Sequence, residues 1–204
     1  MAPEERFVCR FAAEPPQGPL PYGRWADTLK ALFLEACLRI DSGDEELGEA
    51  SEIAWFPDRS WSGRSYVPVT AKAANGSDLF GYVSFTPGDE EREPDDFYAW
   101  ADFTDETAEK HPEWKLDIAE EVVGGWRGEG GRTAAMTLVW GVPLLRGGAI
   151  ATAELAGLTV DQCTLLENRF TLLGPDDYRE DYLEIALYDS HGKEIARESL
   201  YEEE

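Results

Sequence analysis

Cationic side chains are scarce in this sequence. Its 18 lysine and arginine residues stand against 42 aspartate and glutamate residues, which gives a formal net charge of −24 at pH 7. Affinity for nucleic acid comes largely from lysine and arginine side chains that displace the counterions condensed on phosphate. A surface so rich in carboxylates repels phosphate, and we therefore expect no direct binding of DNA or RNA.

Long apolar runs are missing as well. The longest stretch without a charged residue, 133–145, is interrupted by Gly141 and Pro143, and it is far shorter than the roughly 20 apolar residues that a membrane-spanning helix needs. The chain opens with Met-Ala-Pro-Glu-Glu, where a secretory signal carries basic residues followed by an apolar segment. These features predict a soluble, cytoplasmic protein that does not enter a membrane.

Cysteine and histidine are also rare. Cys9, Cys37 and Cys163 are an odd number of cysteines with no Cys-x-x-Cys spacing, so we expect reduced thiols that pack in the interior. The two histidines, His111 and His191, lie far apart in the sequence, and no nucleophile motif accompanies them. We interpret both as solvated loop residues, and the sequence identifies no catalytic residue.

What the sequence does contain is one strong helical pattern among many alternating segments. Apolar residues fall at helical spacing over 24–40, which predicts an amphipathic helix followed by an acidic loop with Gly43 as a C-terminal cap. Alternation of apolar and polar residues predicts strands. The expected strands are 6–11, 65–73, 79–85, 97–103, 133–145, 149–158, 163–173, 182–188 and 194–201. Asn75-Gly76 and the turn that ends at Gly192 predict two hairpins.

The segment 112–123 fits two periods at once. Its apolar residues match either a helix opened by Pro112 or a strand that contains Leu116 and Ile118. We predict a short helix here. The glycine-rich stretch 124–131 predicts a flexible connection, because a glycine-rich phosphate cradle leads into a helix and this stretch leads into a strand.

Together these segments predict a single α+β domain over residues 1–204. We expect it to be mainly antiparallel β-sheet, as a curved sheet or partial barrel, with one main amphipathic helix. The segments 149–158 and 163–173 are expected to pair in the same sheet, and residues 202–204 form an acidic C-terminal end.

The negative charge is concentrated in three segments. Residues 41–52 hold six acids and no base, residues 89–121 hold fourteen acids and three bases, and residues 176–204 hold eleven acids and three bases. The rest of the chain is almost neutral. A focused acidic surface attracts basic proteins and accelerates their association.

The acidic segment 89–121 includes an aromatic strand, which combines charge for steering with aromatic rings for anchoring. We therefore interpret the chain as an acidic protein-interaction module of the inhibitor, immunity or nucleic-acid-mimicking kind, with a basic protein as its partner. The predicted partner-binding residues are Asp89, Glu90, Glu91, Glu93, Asp95, Asp96, Tyr98 and Trp100.

Two alternatives stay open. One is a carboxylate-dependent enzyme, either a metal-assisted hydrolase or a glycosidase-like protein with aromatic sugar platforms. The platform candidates are Trp55, Trp61, Trp100, Trp114 and Tyr98, and the hard-donor candidates are Asp102, Asp105, Glu106 and His111. Because these donors match no known metal-site spacing, we expect no metal and no cofactor.

The other alternative is an accessory subunit that buries the apolar region 133–173 in a larger assembly. Acids converging in a concave pocket would favour the enzyme.

Overall fold

The computed structural model describes residues 19–89, 92–128, 131, 133–178 and 181–201. Within these residues the chain forms one helix and twelve strands, which confirms the predicted α+β class with mainly antiparallel sheet. The elements are α1 (Gly23–Cys37), β1 (Ser51–Trp55), β2 (Arg59–Trp61), β3 (Arg64–Lys72), β4 (Asp78–Thr86), β5 (Asp95–Thr104), β6 (Leu116–Arg127), β7 (Thr133–Pro143), β8 (Ile150–Leu155), β9 (Leu158–Thr164), β10 (Phe170–Asp176), β11 (Leu183–Tyr188) and β12 (Glu194–Ser199). The predicted strand 6–11, Cys9 and the acidic end 202–204 lie outside the described residues.

The described strands are distributed over three antiparallel sheets. Sheet A has the order β1-β3-β4-β5, and the short β2 also pairs with β3. Sheet B has the order β10-β7-β6, and sheet C has the order β12-β11-β8-β9. The sheets are stacked, because one apolar layer joins sheet A to sheet B and another joins sheet B to sheet C.

Helix α1 covers the outer face of sheet A. Its buried residues Leu29, Phe33 and Ala36 lie three or four positions apart, so they share one face of the helix. They share one apolar cluster with Val83 of β4 and Ala99 of β5, the two strands that α1 lies against. The predicted helix is confirmed, although it ends at Cys37 and not at residue 40.

The predicted glycine cap of this helix is wrong. Leu38 is the C-terminal cap, and its main-chain N–H donates a hydrogen bond to the carbonyl oxygen of Leu34 at 3.3 Å. Gly43 lies in the following loop with a φ of 59°. The helix ends in a 3₁₀-type turn before the acidic loop begins. In this turn the N–H groups of Arg39 and Ile40 donate hydrogen bonds to the carbonyl groups three residues earlier, those of Ala36 and Cys37.

Aromatic rings fill the layer between sheets A and B. Tyr66 and Tyr82 project from sheet A toward Met136, Leu138 and Trp140 of sheet B, and all five are buried. On the other face of sheet B, side chains of β7 and β10 pack against β8, β9 and β11 of sheet C. Sheet B is therefore covered on both faces.

The expected helix over 112–123 is wrong, because Leu116–Arg127 is strand β6. This strand pairs with β7 over its whole length, with Ile118 opposite Gly141. Leu116 and Ile118 face sheet C, whereas Ala119 faces sheet A. The alternation of side chains between the two faces of a strand therefore describes this segment, although its apolar residues also fit helical spacing.

The glycine-rich stretch is not simply a flexible connection, since its first residues continue β6. A β-carbon on Gly124 would lie 2.4 Å from Cζ3 of Trp61. The missing side chain therefore makes room for an indole ring that packs against sheet B. A register shift between Val122 and Gly124 marks a bulge at the same place.

The segments 149–158 and 163–173 were expected to pair, and within the described strands they do so only at Cys163 and Thr164, which lie opposite Ala151 and Ile150. Strand β8 pairs with β9 in sheet C, whereas β10 pairs with β7 in sheet B. A turn closed by hydrogen bonds between Leu166 and Arg169 separates β9 from β10. The apolar run therefore changes sheets where a single strand was predicted.

Both predicted hairpins are confirmed. Strands β3 and β4 flank Asn75-Gly76, where Gly76 has a φ of 95° and Asn75 accepts a hydrogen bond from the Ser77 N–H. Strands β11 and β12 flank a turn in which Gly192 has a φ of 79°. In that turn, Asp189 accepts hydrogen bonds from two main-chain N–H groups.

The two described cysteines are unpaired, as the sequence predicted. Burial raises the pKa of the Cys37 thiol to about 11 and also raises the pKa of Cys163. The thiolate is the reactive form, so both residues are poor nucleophiles near neutral pH. Among the described residues, no helix has the length and apolar character needed to cross a membrane.

Candidate functional site

The predicted acidic surface lies along β5 at the margin of sheet A. Four of its carboxylates are described, and all four are exposed: Asp89, Glu93, Asp95 and Asp96. Glu90 and Glu91 lie outside the described residues. In the described part of the chain β5 pairs only with β4, so its other edge is open.

Asp96 forms an ion pair with Arg64. Arg64 of β3 donates hydrogen bonds to the Asp96 carboxylate and to its main-chain oxygen, the latter at 2.7 Å. The same guanidinium reaches Oγ of Ser84 at 3.2 Å. Asp96 therefore anchors the start of β5, and the exposed carboxylates of Glu93 and Asp95 contribute further negative charge beside it.

The aromatic residues of β5 fall into two groups. Phe97 and Tyr98 are 36% and 52% exposed. Trp100 is half-buried, and its ring stacks on Tyr82 and meets Phe80 edge to face, with both centroid separations at 5.9 Å. Tyr98 is thus available as an anchor for a partner, whereas Trp100 belongs to the layer between sheets A and B.

A groove of about 580 Å³ runs between the second half of α1 and the open edge of β5. Glu35, Asp41 and Asp102 border this groove. Arg39 donates a hydrogen bond from Nη2 to the carbonyl oxygen of Ala99 at 3.4 Å. In an antiparallel strand, the main-chain N–H and C=O groups of every second residue point away from the paired strand. The carbonyl group of Ala99 is one of those that point toward the open edge of β5.

A second concave site lies between sheets A and B, and we call it the aromatic cleft. Its volume is about 450 Å³, and its walls come from β3, β4, β6, β7 and the loop 105–115. Phe56, Phe80, Trp114 and Trp140 contribute aromatic rings to the lining. Acids therefore occur both on an exposed edge and around a concave pocket.

Lys72 is held at the border of the aromatic cleft by two carboxylates. Its Nζ lies 2.7 Å from Oδ1 of Asp78, its partner across the β3–β4 hairpin, and 3.3 Å from Oε2 of Glu109. Partial burial lowers the pKa of Lys72, but the contacts with Asp78 and Glu109 outweigh it and raise the pKa overall. The lysine therefore stays charged, and its ammonium group is paired with Asp78 and Glu109.

Two acids of β6 hold their protons more tightly than usual: Asp117, on the face of the strand that borders the aromatic cleft, and Glu120, on the opposite face. Desolvation raises the pKa of Asp117, and the negative charge of Asp78 adds to this effect. Desolvation also raises the pKa of Glu120 to about 7, with contributions from Asp176 and Glu121. Perturbed carboxyl groups in a concave site are typical of binding and catalytic sites.

Glu120→Gln should stabilise the protein at alkaline pH. Between pH 4.5 and about 7 the unfolded chain releases the Glu120 proton while the folded chain keeps it, so the free energy of unfolding falls as the pH rises. For a fully buried group, a pKa shift of this size would change the free energy of unfolding by roughly 3 kcal/mol. Because Glu120 is exposed, we expect a gain of only about 1 kcal/mol.

The measurement is urea unfolding of Glu120→Gln and the parent protein at about pH 8 and about pH 4. The gain should appear at the higher pH and vanish at the lower one. Glu93→Gln, on the exposed acidic surface, serves as the control and should change little at either pH. An equal gain at both pH values would contradict the assignment.

The loop 105–115 closes one side of the aromatic cleft. His111 stacks on Trp114 at a centroid separation of 4.5 Å, and its ring nitrogens contact Glu106 and Glu113. The hydrogen bonds to these two glutamates raise the pKa of His111. His111 is a loop residue, as expected, but it also fixes the position of Trp114.

Most of the cleft residues were not found from the sequence. Of the predicted sugar platforms, Trp114 lines the cleft, while Trp55 packs in the layer beneath α1 and Trp61 packs against Gly124. Lys72, Asp117 and Trp140 stand on three different strands, and no local spacing connects them. Among the described residues, no group of three or more histidine, cysteine or acidic side chains is arranged to hold a metal ion.

Comparisons with protein-family models, with curated proteins and with solved structures found no match to this chain.

Proposed function

We propose that the protein is an acidic interaction module that binds a basic, extended segment of a partner protein along the open edge of β5. The observation that carries this proposal is an open strand edge flanked by exposed carboxylates. An extended peptide adds to such an edge through main-chain hydrogen bonds, and side-chain pockets beside the edge supply specificity.

The charges around the edge favour a basic partner. Asp95 and Asp102 stand on β5, and Glu35 and Asp41 border the groove on the side of the helix. Among the described residues that line the groove, the basic one is Arg39, which also contacts Glu35 at 3.3 Å. Complementary charge accelerates encounter and excludes acidic partners.

Tyr98 supplies the contact energy that exposed charges do not. Its ring is more than half-exposed beside the edge, and buried tyrosines are frequent anchors of protein interfaces. The apolar region 133–173, which suggested an accessory subunit, already packs between sheets B and C within the described chain. The edge of β5 is thus the better candidate for an interface.

The first test neutralises exposed acids of this surface with the variant Glu93→Gln, Asp95→Asn, Asp102→Asn. Asp96 stays unchanged because it binds Arg64. The probe is a peptide of about ten alternating arginine and threonine residues, a typical strand length, and its glutamate-threonine counterpart is the negative probe. Association with the basic peptide should slow and lose most of its salt dependence between about 50 and 300 mM salt.

The matched control neutralises three exposed acids elsewhere, Glu167→Gln, Asp177→Asn and Asp181→Asn. It should leave association nearly unchanged. A second variant, Arg39→Ala, has the opposite expected sign, because it frees the Ala99 carbonyl and removes a cation. Equal slowing by both neutralised sets, or weaker binding by Arg39→Ala, would overturn the proposal.

A further inference from the structure

The aromatic cleft has the size and shape of a small-molecule site and is separate from the edge of β5. Cavities of about 300–1,000 Å³ are typical of such sites, and this one measures about 450 Å³. Phe56 and Phe80 contribute buried or half-buried rings, and Trp114 closes the side formed by the loop 105–115. The lining is therefore suited to a flat, apolar body.

Negative charge dominates the border of the cleft. Five acidic residues other than Glu120 line it: Glu52, Asp78, Glu106, Glu109 and Asp117. Among the described lining residues Lys72 is the one basic side chain, and it is bound to Asp78 and Glu109. The charge that these residues leave uncompensated favours a cationic ligand.

Trp140 provides an independent observation. The residue is completely buried, yet it lines the cleft. In the described part of the chain its Nε1–H has no hydrogen-bond acceptor. A buried donor without an acceptor costs free energy, so a ligand that brings an acceptor to this N–H would gain affinity.

We propose that the aromatic cleft binds a small organic cation, an amine or guanidine on an apolar body that also carries a hydrogen-bond acceptor. The cationic group pairs with Asp117, the body lies among the aromatic rings, and the acceptor meets the indole N–H of Trp140. Aromatic faces attract organic cations, and the attraction grows when water is excluded.

The surroundings of Asp117 favour this ligand over a neutral one. Asp78 and Lys72 face Asp117 from sheet A, and Glu109 faces it from the loop 105–115. Burial and the two acids raise the pKa of Asp117, and a bound cation would reverse that effect. Affinity should therefore fall as the pH is lowered and Asp117 takes up a proton. A neutral sugar would leave the carboxylates uncompensated.

The test compares three probes by isothermal titration calorimetry. They are para-methoxyphenethylamine, its neutral alcohol para-methoxyphenylethanol, and phenethylamine, which lacks the ether acceptor. The methoxy amine should bind at least about tenfold more tightly than the alcohol. It should also bind more tightly than phenethylamine, and Trp140→Phe should abolish this second difference.

Asp117→Asn should remove the preference for the amine. The matched control is Glu121→Gln, which changes a carboxyl of the same strand and face whose pKa is also raised by burial. Glu121 does not border the cleft within the described residues, so this variant should keep the preference.

The pH dependence of the parent protein serves as a second measurement if Asp117→Asn does not fold. Lowering the pH should weaken binding of the amine and leave the alcohol unaffected. Equal affinity for amine and alcohol, binding of cellobiose in place of the amine, or no detectable binding of any probe would each overturn the proposal. None of these results bears on the peptide binding proposed for β5.

Discussion

Asp161→Asn is expected to lower the free energy of unfolding by about 3–5 kcal/mol, because it leaves a buried guanidinium without its counter-charge. Arg59 is fully buried and donates a hydrogen bond from Nε to Asp161 at 3.1 Å. Its Nη2 donates to the carbonyl of Gln162, and within the described residues its Nη1 has no acceptor. Asp161 is thus the one carboxylate that compensates this charge among the described contacts.

This ion pair also joins all three sheets. Arg59 stands on β2 of sheet A, and Asp161 stands on β9 of sheet C. The carboxylate accepts a further hydrogen bond at 2.8 Å from the N–H of Leu173 in sheet B. Loss of the charge should therefore weaken the stacking of the sheets as well as one local contact.

Urea unfolding followed by tryptophan fluorescence measures the effect, and a double-mutant cycle with Arg59→Met isolates the interaction. Each single variant should be strongly destabilised, whereas the double variant should lose less than the sum of the two. In the double variant, the amide oxygen of the asparagine introduced at position 161 can still accept the Leu173 N–H. A cost below about 1 kcal/mol for Asp161→Asn would show that Arg59 finds another partner.

The parts of this fold that can be predicted are those specified by residues close together in the sequence. Asn75-Gly76 closes the β3–β4 hairpin because Gly76 adopts a positive φ and Asn75 bonds within the turn. The buried face of α1 follows from the spacing of Leu29 and Phe33 alone. In these places the same residues specify and form the structure.

Strand β6 illustrates what sequence could not decide. The spacing of Ile118 and Val122 fits a helix, whereas that of Leu116 and Ile118 fits a strand, and pairing with β7 selects the strand. Likewise, Gly124 makes room for Trp61, a residue distant in the sequence. Such contacts exist only after the sheets have stacked, so no local pattern predicts them.

The candidate sites divide in the same way. The exposed acids and aromatic rings of β5 are contiguous in the sequence and can be predicted from it, whereas the pairing of Asp96 with Arg64 joins two distant strands and cannot. The aromatic cleft joins Lys72, Asp117 and Trp140 from separate strands. Its location depends on how sheets A and B meet, which is a tertiary property.

Phe33→Ala is expected to cost about 3–5 kcal/mol, the usual range for removing a fully buried aromatic ring. Phe33 has no exposed surface and packs between α1 and sheet A together with Leu29 and Val83. The substitution leaves a cavity that rigid strands on one side cannot fill. Alanine itself favours the helix, so the loss reports packing and not helix propensity.

Neighbouring helix positions provide the controls for this prediction. Leu32 is half-buried beside the same layer, so Leu32→Ala should cost less than Phe33→Ala, about 1–2 kcal/mol. Lys30 is exposed, and Lys30→Ala should change the free energy of unfolding by less than about 0.5 kcal/mol. Urea unfolding of the three variants gives their order. A larger loss for Leu32→Ala than for Phe33→Ala would mean that α1 presents a different face to sheet A. Different side chains of α1 would then line the groove beside Ala99.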